Sequence, residues 1–278
     1  IGDAWIATAL AANGQTEEAR AKLQTILDAP DPTGMGHRMA QVRLENLPTP
    51  SQLNLSAQDG LHIFRQETHA GASLQPGRPQ EFPSVLLSIV GLLAFFGYQI
   101  WRGGLGDGAV LWELGALFPG GEFPEEPWRL LHYGLLHGGW LHLLTNLFSL
   151  AVIGPFVVRA LGASGFVFVF LGGIILGGIG ISLFGQAHLT IGASGGVMAL
   201  MASMIPICIW HPGVRGSRTA RGFLNLILTV CLLQAAVDAS NAVISFAGHT
   251  SGVVSGIVLG GIALLFTRKS SENLDQIG

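Results

Sequence analysis

The sequence predicts an all-α membrane protein, a bundle of six transmembrane helices preceded by a small helical N-terminal region. Three observations carry that expectation. Charged residues make up 11% of the chain, against about 25% in soluble domains. Between Leu130 and Thr267 the only Lys, Arg, Asp or Glu residues are Arg159, Arg215, Arg218, Arg221 and Asp238. Several water-facing helices cannot draw polar faces from a stretch so poor in charge. Fifteen charged residues instead crowd into residues 1–82.

Residues 1–82 form the expected N-terminal region and residues 83–278 the membrane domain. In the first, Trp5–Ala12 reads as a helix ended by Asn13-Gly14-Gln15. Thr16–Leu27 reads as a second, with Thr16 as N-cap and Glu17 and Glu18 in its first turn. Pro30 and Pro32 close it. Leu10, Gly14, Ala19 and Leu23 stand where a tetratricopeptide-type hairpin places such residues, and a single repeat buries its face only against a neighbour. A further helix is expected over His37–Asn46, then a Pro-, Ser-, Gln- and Gly-rich linker from Leu47 to Pro83 with a short helix near Asp59–Glu67. The chain begins at Ile1 rather than Met, as a fragment or processed product would, and residues 1–30 lack the pattern of a signal peptide.

A spanning helix needs about 20 predominantly apolar residues. Six runs meet or approach that: Ser84–Trp101, Gly138–Val158, Gly165–Leu183, Ser194–Trp210, Phe223–Val237 and His249–Phe266. The fifth is short. Arg102–Leu136 separates the first two and carries Trp112, Phe118, Phe123 and Trp128, a composition suited to the membrane interface. With six spans, Arg159, the Arg215–Arg221 connection, Arg268, Lys269 and the N-terminus share one side. The positive-inside rule makes that side the cytoplasm. The first loop then lies outside, with Asp107, Glu113, Glu122, Glu125 and Glu126 against Arg102 and Arg129.

Polar residues inside a bilayer are expensive and need a reason. His142 and Asn146 are four apart and share a helix face. His137 and His142 are five apart, about 140° around one helix, so that spacing argues against a shared zinc site; no HExxH motif is present. Interhelical hydrogen bonding is the bland account of these residues. Gly192-Ala193-Ser194-Gly195-Gly196 opens the fourth run. Ser194 there is either a helix cap or a nucleophile at a helix start, where N–H groups are unpaired and the dipole favours negative charge. His249 opens the sixth run, followed by Gly252, Gly256 and Gly260 on one face. That stripe admits a neighbouring helix closely and presses His249 against it. Together the three clusters supply a nucleophile, a base and oxyanion donors, the requirements of serine hydrolysis. The six-span topology brings all three to the outer half of the membrane.

At these positions the sequence resembles the rhomboid family of intramembrane proteases, over roughly Phe82–Lys269. The resemblance rests on Trp128-Arg129, the His137…His142…Asn146 array, Gly192-Ala193-Ser194-Gly195, and His249 with Gly252 and Gly256. It implies that Ser194 attacks the peptide carbonyl with His249 as base in a Ser-His dyad. It also implies that His142 and Asn146 help stabilise the oxyanion, and that Trp128-Arg129 belongs to a structural, half-embedded loop. Met198 stands where a Tyr often follows the nucleophile by four positions and packs on the base. Its thioether packs against an imidazole without offering a hydroxyl. Ser240–Gly248 shows no close match to the family, and residues 1–82 lie outside it.

The expected function is therefore intramembrane cleavage of single-span membrane proteins near the outer face, by a multi-pass protein of a bacterial inner membrane. A catalytically inactive, client-binding relative is the alternative. Ser194, Asp238 and His249 also follow the chain order of an α/β-hydrolase triad, but their flanks are long apolar runs, and Asp238 is read as the solvated outer end of the fifth span. No cofactor or metal is expected, and no basic tract suggests nucleic acid. Cys208 and Cys231 read as buried free thiols. The N-terminal helices are a candidate site for a protein partner.

Overall fold

The computed structural model describes residues 2–12, 14–28, 35–47, 63–68, 82–120, 125–185, 188–240 and 245–275. Pro30, Pro32, Asp59, Glu122, Phe123 and most of the expected linker lie outside them. The chain divides into two compact units, Ile1–Ala72 and Ser73–Gly278.

In the first unit α1 (Gly2–Ala12), α2 (Thr16–Leu27) and α3 (Met35–Glu45) pack together. Their buried positions are small: Ala4, Ala7, Ala11, Ala19 and Ala40 surround Leu23. Gly14 turns the chain between α1 and α2 with φ +84, a conformation that favours glycine. Gln15, not Thr16, occupies the N-cap of α2, and no side chain caps that helix. A short helix α4 follows at 63–68.

The second unit begins with α5 (Pro83–Trp101), opened by a Pro in its first turn. The first loop carries α6 (Gly108–Glu113), capped by the Asp107 carboxylate, then α7 (Arg129–His132) and a 3-10 turn over Tyr133–Leu135. Trp112, Phe118 and Trp128 are exposed on it. α8 (Trp140–Phe184), α9 (Ser194–Trp210), α10 (Arg218–Ser240) and α11 (Phe246–Asp275) complete the unit. Among the described residues, α5, α8, α10 and the Phe246–Thr267 part of α11 are long and apolar enough to cross a membrane. α9 is a shorter apolar helix of 17 residues. The protein is an integral membrane protein.

The second and third apolar runs fall within α8, whose backbone leaves helical geometry at Gly162 (φ 74, ψ 172). In a straight helix Gly154 and Phe166 would stand about 18 Å apart. Yet a Cβ on Gly154 would lie 3.3 Å from the Phe166 ring, so the chain doubles back at Gly162. The fifth run is longer than expected, because α10 extends five residues before Phe223 and three after Val237.

α9 and α11 pack against each other and against α8. The contact is made by the glycine stripe. Gly252 faces Gly195, Gly256 faces Ala199 and Gly260 faces Ser203. Each step advances four residues on both helices, so the two run parallel in a fixed register. Three residues back from Gly252, that register sets His249 level with Gly192, two residues before Ser194.

Candidate active site

Ser194 is the first residue of α9. Ala193 occupies the N-cap and no side chain caps the helix, so the Ser194 hydroxyl is not spent on capping. The first N–H groups of α9 have no partner within the helix. Gly192 precedes them with φ +128, and a Cβ there would lie 2.7 Å from Cε1 and Nε2 of His142 and 3.8 Å from Ser194 Oγ. Glycine is therefore required on two counts, backbone conformation and space. The segment is tied down from the first loop. Gly192 N–H donates to the Tyr133 carbonyl at 2.9 Å, and Leu117 and Thr190 exchange backbone hydrogen bonds of 3.1 and 2.7 Å.

His142 lies in the first turn of α8. Gly138 N–H donates to its Nδ1 at 3.4 Å. A neutral ring accepting there carries its proton on Nε2, the atom turned toward Gly192. Asn146, one turn on, is buried and donates through Nδ2 to the His142 carbonyl at 2.9 Å. That uses one of its two N–H bonds.

His137 requires a correction. It precedes α8 rather than lying on it, so the helical angle does not govern it. Its ring packs edge-on against His142 with centroids 5.1 Å apart. Gln99 on α5 holds its backbone on both sides, donating to the His137 carbonyl at 2.7 Å and accepting from its N–H at 3.0 Å. Among the described residues no group of three His, Cys, Asp or Glu side chains gathers as a metal site would require.

His249 sits in the first turn of α11, whose start Ser245 caps by accepting from Gly248 N–H at 3.2 Å. Asp238 requires the second correction. It is not solvated: it is buried, and its Oδ2 lies 2.7 Å from Nδ1 of His249. Gln234, one turn earlier on α10, donates to the other carboxylate oxygen at 2.7 Å.

Ser194, His249, His142, Asn146, Gly192, Gly195 and Gln234 line a single cavity of about 1070 Å³. Met198 lines it too. Among the described residues no hydrogen bond joins Ser194 Oγ to His249. A hydroxyl at a helix start, an imidazole held at its far nitrogen, and N–H donors around the same space are the parts of acyl transfer.

The Rhomboid domain family matches residues 124–266, just over half of the chain. The chain belongs to the rhomboid family. Among relatives, it is 28% identical over 193 residues to Rhomboid-related protein 2 of Mus musculus, covering 63% of this chain and 62% of that one. It is 28% identical over 135 residues to the Putative rhomboid protease YdcA of Bacillus subtilis, covering 48% and 66%. It is 28% identical over 176 residues to the Rhomboid protease GlpG of Photorhabdus laumondii, covering 62% and 60%. In each, the matched stretch is less than two thirds of the relative's length.

In this rhomboid the Trp128-Arg129 pair organises the first loop rather than lining the cavity. Arg129 is buried, paired with Glu126 at 2.6 Å, and donates to the carbonyls of Trp112 and Ala116. Its guanidinium lies 3.7 Å from the centre of the Trp112 ring and 4.7 Å from that of Trp128. One buried cation thus ties the start of α7 to the end of α6 and to the Ala116 backbone just after it. Sequence reasoning missed Gln99 and Tyr133. The Tyr133 hydroxyl donates to the Ile174 carbonyl at 2.7 Å on the second arm of α8, while its own carbonyl holds Gly192.

Proposed function

We propose that this rhomboid is an intramembrane serine protease with Ser194 as nucleophile and His249 as base. The observation that carries the reading is the meeting of Ser194, His249, His142 and Asn146 on one open cavity with a mainly apolar lining. Ser194 Oγ attacks a peptide carbonyl and passes its proton to Nε2 of His249. The tetrahedral oxyanion accepts hydrogen bonds from Ser194 N–H, His142 Nε2–H and the free Nδ2–H of Asn146. His249 returns the proton to the departing amine. A water, deprotonated by the same imidazole, then releases the acyl group. The cavity has room for that water beside a length of peptide.

The proposed topology counts six crossings: α5, the two arms of α8, α9, α10 and α11. Both termini and the Arg215–Arg221 connection lie in the cytoplasm of a bacterial inner membrane, with the active site in the outer half. Substrates are single-span proteins. Their helices must unwind to offer a carbonyl, since helical carbonyls are paired internally. Small residues at the cut, and Gly, Pro or polar residues just after it, ease that step. Access is sideways, between the first arm of α8 and α10. Phe148, Val152 and Ile153 line the cavity from one side, and Phe223, Leu226 and Val230 from the other.

The test is the purified protein in detergent with a transmembrane substrate. Wild type should cut it, and Ser194→Ala and His249→Ala should each abolish cutting while leaving the fold intact. The two losses should not add, because both residues serve one step. Clear cleavage by Ser194→Ala would end the serine mechanism. Binding without cleavage by wild type would favour the inactive, client-binding alternative.

A further inference from the structure

We infer that Asp238 is a positioning residue for His249, so that the site works as a Ser194–His249–Asp238 relay rather than a two-residue dyad. The inference rests on the protease reading above. Three observations carry it.

The first is scarcity. Asp238 is the only Asp or Glu between Leu130 and Thr267, and it is buried against the residue read as the base. A carboxylate in an apolar bundle is retained against a large desolvation cost and marks function by default. The second is geometry. Oδ2 stands 2.7 Å from Nδ1 of His249. An Nδ1–H donating to it leaves Nε2 as the lone-pair nitrogen, the tautomer that a base for Ser194 needs. The third is support. Gln234 holds Oδ1 at 2.7 Å from the same helix face, four residues earlier, so both oxygens are engaged and the carboxylate cannot swing away without breaking a second hydrogen bond. The arginines of α10, Arg218 and Arg221, are about 25–30 Å away along the helix axis and cannot take the place of His249 as its partner.

Asp238 belongs to α10 and His249 to α11. The contact therefore admits an opposite role, a latch that holds α10 closed over the cavity. The two roles predict opposite signs. A positioning residue, when lost, lowers turnover on every substrate. A latch, when lost, raises turnover on transmembrane substrates and leaves short soluble peptides unaffected.

The experiment uses the full chain in detergent, as wild type, Asp238→Asn, Asp238→Glu and Ser194→Ala. Substrates are a single-span protein and a soluble peptide carrying the same cut. Asp238→Asn should lower kcat roughly 100- to 10,000-fold on both substrates, with KM within about threefold of wild type. Labelling of Ser194 by a fluorophosphonate should slow in parallel, and Asp238→Glu should recover part of the loss. A turnover within about threefold of wild type, or a rise confined to the transmembrane substrate, would overturn the inference. Because Asp238→Asn can fail to fold, a second measurement uses wild type alone. ¹⁵N imidazole spectra, with His249 assigned by difference from His249→Gln and recorded on the singly protonated ring, should place that proton on Nδ1; a singly protonated ring carrying it on Nε2 would overturn the inference. If wild type cuts nothing, the protease reading fails, and a proton on Nδ1 of His249 then shows only that Asp238 sets the tautomer of that ring.

Discussion

Gly252→Ala tests whether helix register sets the geometry of the proposed Ser194–His249 pair. A Cβ at Gly252 would lie 2.5 Å from the Gly195 carbonyl oxygen and 3.2 Å from its carbonyl carbon and Cα. All three are backbone atoms, so no side chain can rotate aside. Reaching an ordinary contact of 3.4 Å requires α11 to retreat from α9 by about 0.9 Å. The displaced turn carries His249, and the turn it leaves carries Ser194. Overpacking of this kind costs about 1–3 kcal/mol of stability. A misplacement of about 1 Å at a reacting pair costs about 100-fold in rate, or about 2.7 kcal/mol of barrier. Activity should therefore fall about 100-fold even in the variant that remains folded. Gly261→Ala on the same helix is the control, since its Cβ would meet nothing nearer than Trp210 at 3.9 Å. Initial rates on a transmembrane substrate, fluorophosphonate labelling and thermal unfolding, measured on both variants, separate the effects. If Gly252→Ala turns over within about threefold of wild type while Gly261→Ala does the same, the α9–α11 contact does not position the proposed Ser194–His249 pair.

Asn146→Ala should slow turnover about 10- to 1,000-fold without abolishing it, as removal of a single oxyanion donor does; unchanged rates with a lowered unfolding temperature would make Asn146 a structural tie to the His142 carbonyl. For access, the side chains that matter on α10 are those facing the cavity. Leu232 and Leu233 are 72% and 63% exposed and point away from it, whereas Phe223 and Val230 line it. Phe223→Ala and Val230→Ala should raise turnover of a single-span substrate and leave a soluble peptide nearly unchanged; equal effects on both would rule out a lateral gate here.

Much of this site was legible in the sequence because membranes penalise polar groups. Ser194, His142, Asn146 and His249 announce themselves against an apolar background, and the glycine spacing after His249 announces a close helix contact. The spacing does not say which helix answers it; the partner, α9, emerges only when Gly195, Ala199 and Ser203 are seen opposite. Gln99 and Tyr133 left no such trace. They act through backbone groups 38 and 41 residues away, and a backbone partner has no sequence identity to read. The helical angle does not describe His137 for a local reason: α8 begins at Trp140, three residues after it.

Asp238 shows how a helix boundary decides a functional reading. Ending the fifth apolar run at Val237 puts the next residue at a water interface, where a carboxylate needs no partner. The helix in fact continues to Ser240, and one further turn is enough to carry Asp238 to the face that Gln234 already occupies, four residues earlier. Helix ends fray and are defined only to one or two residues at each terminus, whereas the expense of an unpaired charge among apolar helices is large. The second consideration should outweigh the first. The only carboxylate in a long apolar stretch is better assumed to have a partner than to have escaped to water. Here the chain offers it a histidine eleven residues later, across the connection that joins α10 to α11.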